Sequence, residues 1–358
     1  MSAFGLPQRL PARRCHQRRG LSFLPEVHRV RSGNRKPGGQ GDRREPRPGA
    51  EGCQVEMNTS SRFPNPFPPP FAHAWGDDEF GLWAEFRLEV PNGESVVQNF
   101  RWIEPGTFWM GSPEDEPERF KNEGPRHEVT INQGFWLADS ACTQALWQAV
   151  MDNNPSSFKD DPQQPVENVS WHNVQAFLKR LQERLQSLLP GCQVDLPSEA
   201  EWEYACRAGT TTPFSFGANI NPQQVNYDGN YPYFGDEKGE FRKKTVPVKS
   251  LPANPWGLYE MHGNVWEWCK EGQRTYDEQV QIDPLGPMTG DDIPRCLRGG
   301  SWIDYARWAR SSNRYALQPV SASDLVGFRF CLRSIKSGQV RKRLSPAGSP
   351  GRGDRREP

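Results

Sequence analysis

Apolar residues recur at helical spacing in three stretches of the chain. After Ser170 they fall three or four positions apart, which predicts one amphipathic helix, at Val174, Phe177, Leu178, Leu181, Leu185 and Leu188. Thr143 can cap a helix over "QALWQAVM", which the following "NNP" ends. Ser198 and Glu201 form a capping box for "EAEWEYACRA", with Gly209 as the C-terminal stop. The pattern therefore predicts three helices.

The remaining apolar pieces are short and are separated by turn residues. They read "NFRWI", "HEVTI", "GFWLA", "TVPVKS", "CLRGGSW" and "GFRFCLR". Pieces of this length favour small twisted sheets joined by long irregular loops. Together with the helices they predict a loop-rich α+β fold.

The two ends of the chain lack any apolar periodicity. Residues 1–56 and 337–358 are rich in Arg, Gly and Pro, so both ends are basic although the net charge is zero. Such segments cannot bury a core. We expect a disordered or linker segment over 1–74, one compact domain over 75–334, and a disordered basic tail over 335–358. Any weak attraction to nucleic acid would come from these tails.

The hexapeptide "GDRREP" occurs at 41–46 and again at 353–358. We hypothesise that both tails are translated copies of a short DNA repeat and that Met57 is the native start. The opening residues lack an apolar signal-peptide core, and no stretch approaches the roughly 18 apolar residues of a membrane span. The expectation is a cytoplasmic protein without a membrane partner.

Familiar chemical motifs are missing from the sequence. The eight cysteines contain no CxxC pair, the six histidines show no ligand spacing, and neither a P-loop nor a dinucleotide-binding glycine motif occurs. Composition and periodicity therefore define only a tryptophan-rich, loop-rich α+β domain.

An ordered series of motifs says more. It runs "RWIEPGTFWMGS", "EGPRHEVTI", "CTQALWQAVM", "PVENVSWHNVQAF", "LPSEAEWEYACRAG", "GLYEMHGNVWEWC", "LRGGSW" and "GFRFCLR". Together these resemble the formylglycine-generating enzyme, or sulfatase-modifying factor, family over roughly residues 75–334. The resemblance implies a single compact domain of C-type-lectin-like type, held by bound calcium.

In the enzymes of that family, two cysteines bind Cu(I) and activate oxygen to convert a substrate cysteine into formylglycine. Soft thiolates suit Cu(I). The resemblance places these cysteines at Asp304 and Ala309, so no copper is expected and catalysis is doubtful. Cys296 and Cys331, on two predicted strands, are the alternative thiols, although a pair of buried structural thiols is commoner. A formylglycine-generating or related metal-dependent oxidoreductase remains the alternative function.

A second branch of the family uses iron held mainly by histidines of an additional helical domain. No such domain is evident here, so we interpret His127, His172 and His262 as loop or helix-cap residues with ordinary hydrogen-bond partners.

Calcium positions can also be carried over from the resemblance. One site would use carboxylates and carbonyls of Glu260, Gly263, Val265 and Glu267. A second would use Asn226, the Tyr227 carbonyl and Glu240, with Asp236 or Glu237 as alternatives to Glu240. Carboxylates and closely spaced carbonyls suit a hard cation that takes six to eight oxygens.

The segment between "RGGSW" and "GFR" resembles the variable proteins of diversity-generating retroelements, which use this place for binding. Gly, Ala, Arg and Pro recur there as a frame, and Gly299, Gly300, Arg310 and Arg329 are expected to lie underneath. The candidate ligand-binding residues between them are Ile303, Asp304, Tyr305, Trp308, Tyr315, Leu317, Val320, Ser321, Ser323 and Asp324. Their mixture of aromatic, acidic and hydroxyl side chains is typical of binding loops. The expected partner is a protein or another macromolecule. The alternative is that they are ordinary residues of a degenerate relative.

Overall fold

The computed structural model describes residues 63–90, 93–186, 191–290 and 292–334. Of the predicted tails, residues 1–62 and 335–358, with both copies of "GDRREP" and Met57, lie outside the described residues, as does Leu188. Residues 63–74 of the expected linker are described: Phe71 is buried in the core, and Ala74 begins the first strand.

All three predicted helices are present. They are α1 (Gln144–Met151), α2 (Trp171–Arg184) and α3 (Glu199–Arg207). Helix α2 ends earlier than the apolar spacing suggested, because Leu185 is its C-cap residue rather than part of its last turn. Leu185 nevertheless stays buried with the rest of the apolar face.

Side-chain caps fix where these helices begin. The Thr143 hydroxyl accepts a hydrogen bond from the Leu146 backbone N–H at 3.1 Å. Ser198 and Glu201 form the predicted capping box, each satisfying the other's backbone N–H. At the other end of α3, Ala208 and Gly209 both adopt positive φ, which confirms the predicted stop.

Thirteen strands are described, in three sheets. In chain order they are β1 (Ala74–Asp78), β2 (Gly81–Glu89), β3 (Ser95–Ile103), β4 (Gly106–Met110), β5 (His127–Ile131), β6 (Phe135–Ala138), β7 (Cys192–Asp195), β8 (Trp266–Gly272), β9 (Gln281–Ile282), β10 (Arg295–Arg298), β11 (Tyr315–Leu317), β12 (Val326–Gly327) and β13 (Cys331–Ser334). A six-stranded sheet has the order β1-β2-β3-β6-β13-β7, a four-stranded sheet β11-β10-β8-β12, and a three-stranded sheet β4-β5-β9. The strand before and the strand after the candidate binding segment, β10 and β12, thus both pair with β8.

Five of the six short apolar pieces contribute to strands, and "TVPVKS" does not. The prediction of sheet structure there was wrong because a side chain takes the place of a neighbouring strand. Asn264 Oδ1 accepts a hydrogen bond from the Val246 N–H at 2.9 Å, and Asn264 Nδ2 donates to the Val246 carbonyl at 3.1 Å. Backbone groups that hydrogen-bond to a side chain in this way do not need a neighbouring strand as their partner.

Two large apolar clusters fill the interior. In the first, α1 and α2 pack on the six-stranded sheet, with Trp147 stacked on Phe177 at 5.3 Å between ring centroids. The second surrounds α3 and contains Trp202 and Cys296. A third, smaller cluster includes Phe214 and Ala309 and lies under the candidate segment. Among the described helices, none is both long enough and apolar enough to cross a membrane.

Candidate binding surface

Two glycines set the path of the chain where β10 ends. Gly299 has φ +99° and Gly300 has φ +77°, a backbone region that other residues rarely adopt. A Cβ on Gly299 would lie 3.2 Å from the Met261 carbonyl oxygen, and one on Gly300 would lie 3.1 Å from that of Trp308. Conformation and close packing therefore both favour glycine at the start of the segment.

Arg310 holds the middle of the segment to the 3₁₀ helix Lys121–Glu123 and to the loop before it. Its Nη1 donates to Glu116 at 2.6 Å and to Glu123 at 2.8 Å, and its Nη2 donates to Glu123 at 2.6 Å. Arg310 and Glu123 are fully buried. Burial alone raises the pKa of Glu123, but hydrogen bonds and the charge of Arg310 outweigh it and hold that pKa below its ordinary value. The pair is therefore ionised at neutral pH.

Three further buried arginines repeat this arrangement. Arg329 donates to both carboxylate oxygens of Glu267, at 2.6 and 2.8 Å. Arg314 forms the same two-bond contact with Glu199. Arg298 pairs with a buried glutamate of α3 and also donates to backbone carbonyls after Arg310. We call Arg298, Arg310, Arg314 and Arg329 the frame arginines. The expected burial of Gly299, Gly300, Arg310 and Arg329 is confirmed.

The two positions that correspond to the copper cysteines serve the fold. The Asp304 carboxylate accepts hydrogen bonds from the Ser301 N–H at 2.9 Å and from its hydroxyl at 2.6 Å. Asp304 is thus half-buried and closes a turn, rather than projecting toward a ligand as expected. Ala309 is buried, and its carbonyl accepts a hydrogen bond from His262 Nδ1 at 2.7 Å.

His262 is fixed as a neutral ring. Its Nε2 lies 3.1 Å from the Ser215 N–H, which can only donate, so Nε2 accepts and Nδ1 carries the proton given to Ala309. Burial lowers the pKa of His262 to about 4. His127 is also satisfied, with Nδ1 3.0 Å from the Pro125 carbonyl. Both rings have hydrogen-bond partners as expected, but His127 is the first residue of β5 rather than a loop residue, and His172 lies in the first turn of α2.

The thiols near this region are protonated and enclosed. Cys206 Sγ lies 3.7 Å from His262 Nε2 and 3.7 Å from Ser311 Oγ, and burial raises its pKa to about 12. Cys296 in β10 and Cys331 in β13 are fully buried, and burial raises the pKa of both above its usual range. None of these three sulfurs is poised as a thiolate ligand at neutral pH.

Four of the candidate ligand-binding side chains point into solvent. Ile303, Tyr305 and Tyr315 are 42%, 41% and 43% exposed, and Val320 is 73% exposed. We call these four residues the display positions. Ser321, Ser323 and Asp324 are half-buried.

Trp308 and Leu317 depart from the expected display. The Trp308 ring is half-buried, with its centroid 4.7 Å from that of Phe120 and 6.4 Å from that of Trp266. Leu317 is half-buried and packs against the larger apolar cluster. Large apolar side chains next to a core gain more by burial than by exposure, so folding explains their identity.

An aromatic loop outside the candidate segment joins this surface. The Tyr231 ring stacks on Tyr305 with 3.8 Å between centroids and 22° between planes. The backbones are tied as well, since the Ala306 N–H donates to the Tyr231 carbonyl at 3.1 Å. Tyr231 and Phe234 are 43% and 67% exposed. Sequence reasoning missed both. The only signal was the aromatic run "YPYF", which does not reveal what it contacts.

The second candidate calcium position contains an unsatisfied oxygen. Asn226 Nδ2 donates to the Lys244 carbonyl at 2.9 Å, while the buried Oδ1 has no hydrogen-bond partner within the described residues. The loop of Tyr227 lies against the backbone of Glu240, whose exposed carboxylate pairs with Arg242 at 3.1 Å. Asp236 and Glu237 are exposed. Asn226 Oδ1 therefore offers one free oxygen to a cation, whereas the Glu240 carboxylate already has Arg242 as its partner.

The first candidate calcium position fits less well. Glu260 Oε1 is buried without a hydrogen-bond partner in the described chain, and burial raises the pKa of this carboxyl to about 7. Gly263 and Val265 are also buried, and Gly263 pairs with Asn226 of the second position. Glu267, however, accepts from Arg329 and from Trp202 Nε1 at 2.7 Å, so its charge is already neutralised. Across the described residues, no three His, Cys, Asp or Glu side chains are grouped as a metal site.

Comparison with known proteins adds three relatives. The profile of the sulfatase-modifying factor enzyme 1-like domain matches residues 86–335. The formylglycine-generating enzyme of Streptomyces coelicolor is 32% identical over 232 residues, which cover 60% of this chain and 69% of that protein. The inactive C-alpha-formylglycine-generating enzyme 2 of Bos taurus is 31% identical over 307 residues, covering 70% and 91%. The solved structure of Treponema denticola variable protein 1 superposes with a TM-score of 0.56 at 26% identity, covering 69% of this chain and 98% of that one.

Proposed function

The chain belongs to the sulfatase-modifying factor family, and from that premise we propose that it is a non-catalytic binding protein whose ligand contacts the segment 303–324. The expected fold class, a single α+β domain of the formylglycine-generating-enzyme and C-type-lectin-like type, is confirmed by the likeness to Treponema denticola variable protein 1. Fold alone does not assign function, so the proposal rests on the residues of the site.

The observation that carries the proposal is that one stretch of chain contains both buried, ion-paired arginines and exposed side chains. The frame arginines are buried in ion pairs, whereas the display positions are exposed on the same stretch of chain. Tyrosines give a large contact area at a small cost in side-chain entropy. Long loops on a rigid scaffold are also where binding residues usually lie.

The positions that would carry the family's copper chemistry support the same proposal. The Asp304 carboxylate accepts a hydrogen bond from the Ser301 hydroxyl, and Ala309 has no side chain that could bind a metal. A relative named as inactive shows that the family's domain is not restricted to active enzymes. We propose that copper is not a cofactor and that calcium stabilises the domain through Asn226 and Glu260.

Binding is tested by comparing matched aromatic variants. The protein, the double variant Tyr305→Ala/Tyr315→Ala and the control Trp109→Ala are immobilised and offered the same extract from the source cells. Trp109 is 48% exposed on β4, in a different sheet from β11 of the segment, so it controls for the loss of a surface aromatic ring. A macromolecule retained by the wild type and by Trp109→Ala but lost from the double variant supports the proposal, and its affinity is then measured directly. Equal retention by all three contradicts it.

The enzymatic alternative has a separate test. The protein is incubated with Cu(I), a reductant, oxygen and a cysteine-containing sulfatase peptide, and conversion of thiol to aldehyde is followed by mass spectrometry. We expect no product. Turnover that disappears in Cys296→Ser or Cys331→Ser would assign the chain to the enzymes of the family.

A further inference from the structure

The loop before α2 is joined to the far end of the candidate segment. The Asn168 N–H donates to the Ser323 carbonyl at 2.9 Å. Trp302 bridges the same two regions, since its Nε1 donates to the Asp324 carbonyl at 3.1 Å and its ring meets that of Phe158 at 5.3 Å. A side chain enclosed at this junction is therefore held by both loops.

Glu167 is such a side chain. It is completely buried, and its Oε1 accepts hydrogen bonds from the N–H groups of Ser157 at 2.5 Å and Phe158 at 2.9 Å. Its Oε2 is buried with no hydrogen-bond partner in the described chain. Burial, opposed in part by these two hydrogen bonds and reinforced by the negative charge of Asp324, raises the pKa of Glu167 to about 7. A buried oxygen without a partner is costly, which calls for a ligand there.

Asp324 supplies a second carboxylate at this place. It is half-buried and follows Ser323, whose carbonyl accepts the hydrogen bond from Asn168, the residue after Glu167, so each acidic residue is one position from the same backbone contact. No hydrogen bond joins the two carboxyl groups, and the Asp324 carboxylate has no ion-pair partner within the described residues. The exposed Lys159 lies on the same loop, and its positive charge acts to lower the pKa of Glu167.

We propose that Glu167 and Asp324 together bind a divalent cation of the calcium type, which ties the end of the segment 303–324 to the loop before α2. A hard cation takes carboxylate oxygens and completes its shell of six to eight oxygens with carbonyl oxygens and water. The cation removes the repulsion between the two carboxylates and satisfies Glu167 Oε2. The site is distinct from Asn226 and Glu260, and it does not depend on the proposed binding function.

The site is tested with Ca²⁺ and Tb³⁺ on the full chain near pH 7.5. Calorimetry counts the Ca²⁺ ions bound, and Tb³⁺ emission excited through tryptophan reports ions bound near any tryptophan, so the variants assign the signal to its site. The variants are Glu167→Gln and Asp324→Asn, which keep the side-chain shape. Glu183→Gln, an exposed glutamate on α2, is the matched control.

We expect Glu167→Gln and Asp324→Asn each to lose the same single ion, with a tenfold or greater loss of affinity at that site, and Glu183→Gln to lose none. Circular dichroism and thermal melting verify that each variant folds. An unchanged ion count in both variants overturns the proposal, as does loss in only one of them. A carboxyl pair that takes up a proton near neutral pH but no metal also overturns it.

Discussion

The frame arginines and the display positions alternate along one segment, yet different physics governs them. Arg310 is buried among Glu116 and Glu123, whereas Tyr305 is 41% exposed only five residues earlier. A buried charge is tolerated only with its partner, so each arginine requires its glutamate. An exposed side chain has few such requirements. The comparison teaches that this fold fixes the path of the segment while leaving the identity of its exposed residues free.

Breaking a frame pair is expected to have the largest effect. Arg310→Met leaves two glutamates in the interior without their cation, which should lower the free energy of unfolding by about 3–5 kcal/mol. Urea denaturation measures it. The control is Arg180→Met, because the Arg180–Asp152 pair is exposed and 3.9 Å long and should be worth less than about 1 kcal/mol. Equal losses of unfolding free energy in the two variants would contradict the distinction between the buried frame arginines and exposed arginines.

Acid should lower the stability of the folded protein through His262. Because its folded pKa is about 4, below the usual value of 6.5, the unfolded chain binds a proton that the folded protein does not. The stabilising contribution is therefore complete above pH 6.5 and is lost as the pH falls toward 4, by about 3 kcal/mol in total. Unfolding measured across this range should show a shallower slope for His262→Gln than for the exposed control His73→Gln. Identical slopes would contradict the assignment.

Calcium is expected to act on the scaffold rather than on the display positions. At a hundredfold excess over Kd, a cation bound only by the folded state adds about 2.7 kcal/mol, so a chelator should lower the Tm by several degrees. Asn226→Ala and Glu260→Gln should each reduce that difference. Glu267→Ala is unsuitable, because it unpairs Arg329 whether or not calcium binds. A Tm that chelation leaves unchanged counts against both candidate sites.

The smallest expected effect is the coupling between Tyr231 and Tyr305. A stacked pair contributes about 0.5–1.5 kcal/mol beyond its buried area, so a double-mutant cycle of the two alanine variants should give a coupling energy of that size. Chemical denaturation of the four proteins measures it. A coupling near zero would mean that Tyr231 merely lies beside the display positions and does not order them.

The helix starts and the glycine turn could be predicted because their signals are local. Ser198 and Glu201 cap α3 from three residues apart, and glycine at 299 and 300 indicates a turn before any tertiary contact is known. Strands β1 and β2 and the loop around Val246 were not predicted correctly. The carbonyl and N–H of Val246 bond to an asparagine side chain far along the sequence, which no local pattern reveals.

Among the candidate site residues, the sequence could not separate exposed from buried. Tyr305 and Trp308 have similar chemistry and lie three residues apart, yet one is on the surface and the other packs against Phe120 and Trp266. The binding role of the display positions and the calcium ligands remain predictions. The departure of Glu267 from its expected role became visible only when Arg329 was seen to occupy its carboxylate.

The sequence by itself determined the family, the helix boundaries set by caps, the glycine turn, and the absence of cysteine at positions 304 and 309. Tertiary structure alone decided which glutamate neutralises each arginine, that Tyr231 stacks on Tyr305, and that Glu167 is buried where its loop bonds to Ser323. The physical reason is how far apart the interacting residues lie along the sequence. Caps and turns are hydrogen bonds between residues a few positions apart, whereas ion pairs, ring stacking and burial join residues that approach each other only when the chain has folded.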